Sequence, residues 1–336
     1  MTRLSDSLEG SEIVGFDTGF FAASYSGAGV LPEIVCQSQM FGDIRNIDLE
    51  FLAQFDAFVL LAAISNDPMG DRFSDVTYQI NLDANMRILT AIAKMRNKRV
   101  VFASSCSMYG AAGAAAKVEE DELNPLTAYA KSKVGVEKFL EALSSGDNLY
   151  TSLRFSTACG VSDRVRLDLV LNDFVTSALQ TGIIEILSDG QAWRPLISVS
   201  DMASAIEWGL TRSVANGGRY IAINVGSDDW NYQIHDLAAH VATEIPSTKI
   251  SVNDSNPADQ RSYRVNFAKF RELAPNHQPQ SALPGVINNL ADCVEGILAN
   301  MNGTFRESEF IRLKALERLL FKGQLDEQLS WQKNLH

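Results

Sequence analysis

Short apolar runs alternate with longer amphipathic stretches over the first two-thirds of the chain. The runs predict strands at 12–17, 57–63, 99–104 and 149–155, and the stretches between predict helices at 48–54, 75–95 and 127–143. The run Phe58-Val59-Leu60-Leu61-Ala62-Ala63 is continuously apolar, as expected of a strand covered on both faces. Strands alternating with helices read as βα units around a parallel sheet. After about Thr157 the texture changes. Helices at 168–181, 199–210 and 233–244 mix with short strands near 184–187 and 221–225. The expected architecture is α/β: a doubly wound parallel sheet over 1–157, then a smaller, partly interleaved domain over 158–336. In the tail, Phe310, Leu313, Leu316, Leu319 and Leu320 keep helical spacing, which predicts packing or subunit contact.

The chemistry concentrates at the end of the third predicted strand and the start of the helix that follows. Ser104-Ser105-Cys106-Ser107-Met108-Tyr109-Gly110 closes an apolar run, and Tyr129 and Lys133 stand one helical turn apart further on. Residues i and i+4 share a helix face, so the ammonium can sit beside the phenol. A phenol is a poor base at neutral pH. Lowering its pKa by ~3 units needs ~4 kcal/mol of differential stabilisation. One charge at ~4 Å in an effective dielectric of ~20 supplies roughly that. A tyrosine tuned in this way takes the proton from an alcohol while hydride leaves the same carbon. By itself the spacing also suits an ordinary exposed helix face; the adjacent serine cluster favours chemistry.

Composition narrows the field. Net charge is −12 over 336 residues, with pI about 4.9. This disfavours a general nucleic-acid surface or an anionic membrane patch, though local arginines suffice for an anionic substrate. No apolar run is long enough to span a bilayer. Cys36, Cys106, Cys159 and Cys293 are scattered, which fits structural thiols in a reducing cytoplasm. His235, His240, His277 and His336 form no metal-ligand pattern, and no metal is expected.

One piece is missing from the pattern. A dinucleotide fold opens with a strand, a glycine-rich turn and a helix whose N-terminus holds the pyrophosphate. Here residues 1–10 read as the end of a helix, and the first convincing strand ends at Asp17, where an acid would bind the adenosine ribose. Gly27-Ala28-Gly29 lacks a third glycine and is followed by Pro32, and the glycines of Gly15-Phe16-Asp17-Thr18-Gly19 flank the acid itself. Two expectations stand. The chain starts late, lacking about 20–25 residues of a βα opening, or it is a degenerate form with weak or no cofactor binding. The otherwise intact site favours the first.

Together these segments resemble the extended short-chain dehydrogenase/reductases, in the NAD-dependent epimerase/dehydratase branch that acts on nucleotide sugars. The likeness covers nearly the whole chain after Gly10. It implies a Rossmann-like fold with Ser105, Tyr129 and Lys133 as catalytic residues. Asp17 would bind the adenosine ribose, Asp43 and Ile44 of Gly42-Asp43-Ile44-Arg45 the adenine, and Leu61, Ala62 and Ala63 would lie along the cofactor. Tyr129 and Lys133 also face the cofactor, and Asn81 takes the place of a structural asparagine. For the substrate the resemblance implies Thr157 near the sugar and Asn172 near the nucleotide. Arg194 of Asp189-Gly190-Gln191-Ala192-Trp193-Arg194-Pro195 and Arg261 of Asp259-Gln260-Arg261-Ser262-Tyr263 would approach the diphosphate. Asp17 favours NAD over NADP, because a carboxylate repels a 2′-phosphate. Cys106 and Ser107 stand where 4,6-dehydratases usually carry an acid pair, which disfavours elimination, and Cys106 itself reads as a buried structural thiol. The expected activity is an NAD-dependent epimerase or dehydrogenase/reductase on a nucleoside-diphosphate sugar, acting through a keto intermediate. The resemblance also implies a homodimer formed through the helices beginning near Asp75 and Thr127. The alternative is a cofactor-impaired, non-catalytic nucleotide sensor or scaffold.

Overall fold

The computed structural model describes residues 2–8, 10–26, 31–113, 115–253 and 261–332. Gly27-Ala28-Gly29, Asp259, Gln260 and His336 lie outside them. The described strands are β1 (Val14–Asp17), β2 (Ser38–Phe41), β3 (Ala57–Leu60), β4 (Arg99–Ser105), β5 (Leu149–Phe155), β6 (Thr157–Cys159), β7 (Ile183–Ile186), β8 (Trp193–Ser198), β9 (Tyr220–Val225), β10 (Asn231–Gln233) and β11 (Lys249–Val252).

β3, β4, β5 and β9 form one parallel sheet in that order. Every residue of β5 is buried, including Thr151, Ser152 and Arg154, because β5 lies inside the sheet with helices over it. β3 differs from expectation. It ends at Leu60, pairs among the described residues only with β4, and is not covered on both faces. Ala57 is exposed, Val59 and Leu60 are half-buried, and Leu61 is 55% exposed. The apolar run continues past the strand into the turn at its carboxyl end. β1 and β2 pair in parallel as a separate two-stranded sheet. Ser-Gln-Met-Phe of β2 has no buried position, so no apolar period announces it.

The predicted helix at 75–95 is built from Ser74–Tyr78, a π-helical stretch Gln79–Ala84 and Asn85–Ala93. Within the π stretch, Asn81 accepts from Ile64 N at 2.8 Å and donates to Ile64 O at 2.9 Å. One carboxamide thus fastens the turn after β3 to this helix, a structural use of a locally widened turn. The predicted helix at 48–54 is only a 3₁₀ turn, Phe51–Gln54.

In the second half, β6, β8 and β10 form one small sheet, and β7 pairs with β11. Helix Leu283–Leu298 buries Leu283, Ile287, Leu290, Val294 and Ile297 against Leu171, Phe174 and Leu237. That helix has a clear 3.6 period, yet the sequence reading passed over it. β9 leaves this half to join the large sheet beside β5. The tail also returns. Leu316, Leu325 and Leu329 enter the core built by Leu89, Ile92, Val136 and Leu140, and Trp331 Nε1 donates to Thr18 O at 2.7 Å. The tail therefore packs within the chain, on its first half.

A buried ion pair joins the sheet to the helix Ala128–Ala142. Arg154 of β5 donates from Nη2 to Glu137 Oε2 at 2.7 Å and from Nε to both carboxylate oxygens at 3.1 Å. Its Nη1 donates to the Tyr109 hydroxyl at 3.0 Å and to Glu119 O at 3.1 Å. Removing one partner of such a pair strands a buried charge, at a cost of about 3–5 kcal/mol. Glu137→Gln should therefore lower stability by roughly 3 kcal/mol in urea unfolding. The double replacement Arg154→Met with Glu137→Leu should recover much of that loss. A single replacement without effect would show that the pair carries little of the fold.

Candidate active site

Ser105 is the last residue of β4, where the chain turns into the 3₁₀ segment Cys106–Tyr109. Its hydroxyl accepts from Ser107 N at 3.2 Å and donates to Ser107 Oγ at 2.9 Å, which fixes its direction. The turn closes at Gly110, with φ +61°, where a Cβ would lie 1.9 Å from Asn124 O. Only glycine lets the chain before the next helix pass so near.

That helix, Ala128–Ala142, is capped by Thr127, whose hydroxyl accepts from Ala130 N and donates to Asp67 Oδ1 at 2.7 Å. Lys133, Val136, Glu137 and Leu140 form its buried face, and Tyr129 sits one turn before Lys133. Ser105, Arg166 and Asp67 lie near enough to the Tyr129 phenol to act on its ionisation. The Lys133 ammonium donates to Ala103 O at 2.6 Å. It lies 4.6 Å from the Phe102 ring centroid and 5.6 Å from that of Tyr129.

The electrostatics correct one expectation. Burial pushes the Tyr129 phenol up, while the nearby Ser105 hydroxyl and the Arg166 charge pull it down. The cation opposing desolvation is thus Arg166, not Lys133. Lys133 is itself desolvated, and burial lowers its pKa to about 7 against the attraction of Glu137. Both groups lean toward their neutral forms.

Other predicted residues divide by position. Asp17 is exposed at the end of β1 and accepts from Gly19 N at 2.6 Å. Leu61 and Ala62 are exposed and Ala63 half-buried just past β3, so a ligand along that edge can meet them. Asp43 is held by Arg45, and the Ile44 side chain faces the core, so neither side chain is presented as a free contact. Thr157 is half-buried on β6. Asn172 is buried and fully engaged: it accepts from Gly160 N and donates to Gly160 O and Arg166 O. It shapes the 160–166 loop from inside. Arg194 lies over the Tyr263 ring at 5.6 Å, and Arg261 Nη1 donates to Asp67 Oδ2 at 2.8 Å. Cys106 is buried, its thiol donating to Arg154 O at 3.0 Å, and burial pushes its pKa up. Sequence reasoning missed Asp67 and Arg166. Asp67 receives both Thr127 and Arg261. Arg166 is fixed by Asp168 at 2.8 Å and donates to Ser65 Oγ at 3.0 Å. The visible signal was the triplet Arg166-Leu167-Asp168, opposite charges on either side of a buried leucine.

A surface cleft of about 690 Å³, lined in part by Tyr25, Ser26, Asn300 and Arg318, shares no residue with this cluster. A hydroxyl, a phenol and a buried amine converge in the cluster instead. Among the described residues no helix is long and apolar enough to cross a membrane, and no group of three or more metal-ligating side chains occurs.

The profile of the NAD dependent epimerase/dehydratase family matches residues 8–226. A Bacillus subtilis (strain 168) protein named as an uncharacterized UDP-glucose epimerase, YtcB, is 27% identical over 221 residues. That match covers 63% of this chain and 65% of the relative, less than two thirds of its length. Among solved structures, MoeE5 in complex with UDP-glucose and NAD superposes with a TM-score of 0.73 at 21% identity, covering 88% of this chain and 94% of that one. UDP-glucuronic acid 4-epimerase from Bacillus cereus, in complex with UDP-glucuronic acid and NAD, gives 0.73 at 20% identity, covering 88% and 96%. At these identities the structures show a shared fold.

The depressed Lys133 pKa has a thermodynamic signature. Between about pH 7 and the ordinary lysine value near 10.5, the unfolded chain holds a proton at Lys133 that the folded chain does not. Stability contributed by this residue therefore rises with pH through that window and is lowest below it. Urea midpoints measured from pH 6 to 9 should rise less steeply in Lys133→Met than in the wild type. Parallel curves would place the Lys133 titration elsewhere.

Proposed function

The chain belongs to the NAD dependent epimerase/dehydratase family, and on that premise we propose that it is an NAD-dependent enzyme acting on a nucleoside-diphosphate sugar. The proposed reaction is epimerisation, or oxidation and reduction, at a sugar carbinol carbon through a keto-sugar. One observation carries the reading: the Tyr129 phenol gathered with Ser105 beside a buried Lys133, at the carboxyl end of β4. Ser105 orients the substrate oxygen, and Tyr129, once ionised to the phenolate, takes its proton and later returns it. Lys133 has a single hydrogen bond, to a backbone carbonyl. Its remaining donors fit a ribose diol, which also restores the charge that burial disfavours. Asp17 and the exposed residues 61–62 fit the far ribose and the body of the same dinucleotide, and the carboxylate selects NAD over NADP. When bound, NAD would supply the acceptor and donor of hydride. Arg194 and Arg261 bind the sugar-nucleotide diphosphate, for which planar guanidinium forks are suited. Elimination is not part of the proposal, because Cys106 is engaged inside the fold and Ser107 is no acid.

One observation favours a second reading. β1 and β3 belong to separate sheets, which leaves the cofactor side of the fold less continuous, as a cofactor-impaired sensor or scaffold would tolerate. The two readings part on turnover. With NAD and a panel of UDP- and dTDP-sugars in deuterated water, inversion at C4 should give product without deuterium, and inversion at C3 or C5 should incorporate it. Tyr129→Phe should slow turnover by about 10²–10⁴-fold. Absence of turnover across the panel, or a Tyr129→Phe variant as active as wild type, would sink the enzymatic reading.

A further inference from the structure

Arg312, on the tail helix Arg312–Phe321, is 8% exposed. Its guanidinium lies 3.9 Å from the Phe21 ring centroid, and Nη2 donates to Arg164 O at 3.2 Å. Nη1 is buried with no hydrogen-bond partner, and no carboxylate pairs with this side chain among the described residues. Other buried arginines of the fold are provided for. Arg154 has Glu137. Arg212, also without a carboxylate, donates to Thr151 Oγ1, Tyr150 O, Asn216 O and Gly218 O. Neighbouring Arg164 and Arg166 are neutralised by Glu33 and Asp168. Among the described residues Arg312 has no carboxylate in contact and one buried donor unmet; Asp168 and Asp17 act on it only from further off, a costly arrangement unless something else completes it.

Its place in the fold indicates what that is. Phe21, beneath the guanidinium, follows Asp17 by one short turn, and the same tail holds Thr18 O through Trp331. On its other side, Arg164 leads to Arg166 and Asp168, which bind Ser65 and Asn66. Asn66 caps the short helix Asp67–Arg72, and a Cβ on its Gly70 would lie 3.3 Å from Tyr129 Cβ. A continuous path of contacts thus runs from the ribose acid to the catalytic tyrosine, with Arg312 partway along it. A dinucleotide spanning those ends carries its diphosphate at mid-length. We propose that Arg312 holds the diphosphate of the bound dinucleotide, as an anion site delivered by the tail. This rests on the reading that the chain binds NAD. The sugar-nucleotide diphosphate is assigned to Arg194 and to Arg261, which is bound to Asp67.

The experiment is calorimetric titration of the full chain with NAD, ADP-ribose, adenosine and UDP. Arg312→Met keeps the packing on Phe21 and removes the charge. It should weaken NAD and ADP-ribose by roughly tenfold or more and leave adenosine and UDP unchanged. The ligand-free melting temperature should stay level or rise, since an unpaired buried charge is lost. Arg312→Lys should recover part of the affinity. Wild-type affinity for ADP-ribose in Arg312→Met overturns the assignment, as does a loss confined to UDP. NAD binding independent of Arg312 defeats this inference and leaves the enzymatic reading standing. Arg312-dependent ADP-ribose binding without sugar turnover does the reverse.

Discussion

The Arg154–Glu137 pair is the contact on which the geometry of the site depends. Arg154 stands on the most buried strand, and Glu137 lies one turn beyond Lys133 on the helix that carries Tyr129. The remaining guanidinium donors reach Tyr109, which ends the turn after Ser105, and the carbonyl of Glu119. Tyr109 passes the connection to Asn224 of β9 at 2.7 Å, and the Cys106 thiol uses the Arg154 carbonyl. One planar group therefore sets the spacing between β4, β5, β9 and the tyrosine helix. An apolar contact of equal area would be as stabilising, but it would not fix direction to hydrogen-bond tolerance. The same carboxylate partly offsets the desolvation of Lys133. Structural support and the tuning of the Lys133 amine thus share one side chain.

Much of this was visible in the sequence, for reasons that differ by residue. β5 was legible because its apolar residues outweigh Thr151, Ser152 and Arg154 in a short run, and its boundaries match the expected 149–155. Ser105, Tyr129 and Lys133 were legible because strand, turn and helix place them together by local spacing. The local rule failed for the electrostatics. Spacing puts Lys133 beside Tyr129 but does not reveal that Lys133 is buried, or that Arg166 is the cation acting on the Tyr129 phenol. Asn172 reads in sequence as a residue near the nucleotide, and in the structure its amide is spent on Gly160 and Arg166. β2 was illegible because none of its residues is buried. The π-helical stretch was illegible because its cause is a tertiary bond, from Asn81 to Ile64.

The division of the chain also looks different in space. β9 crosses into the large sheet, and the tail helix packs its leucines into the first core while presenting Arg312 at the loop joining the two halves. Arg45 binds Asp43 on its own turn and Gln328 O and Leu329 O on the tail, so a single guanidinium staples residues far apart in sequence. The tail, which in sequence reads as an appendage to the second half, packs into the first half of the chain.

That return of the tail has a consequence for how the protein is made. Trp331 bonds a carbonyl 313 residues earlier, and Leu325 and Leu329 fill the same core as Phe20 and Ile44. During synthesis the first half emerges with that core unfinished, and it cannot close until Leu325, Leu329 and Trp331 have emerged. Contacts of such long sequence separation are late and slow to form. The nascent chain must therefore carry a partly open apolar surface through most of its translation, in the interval when chaperones act.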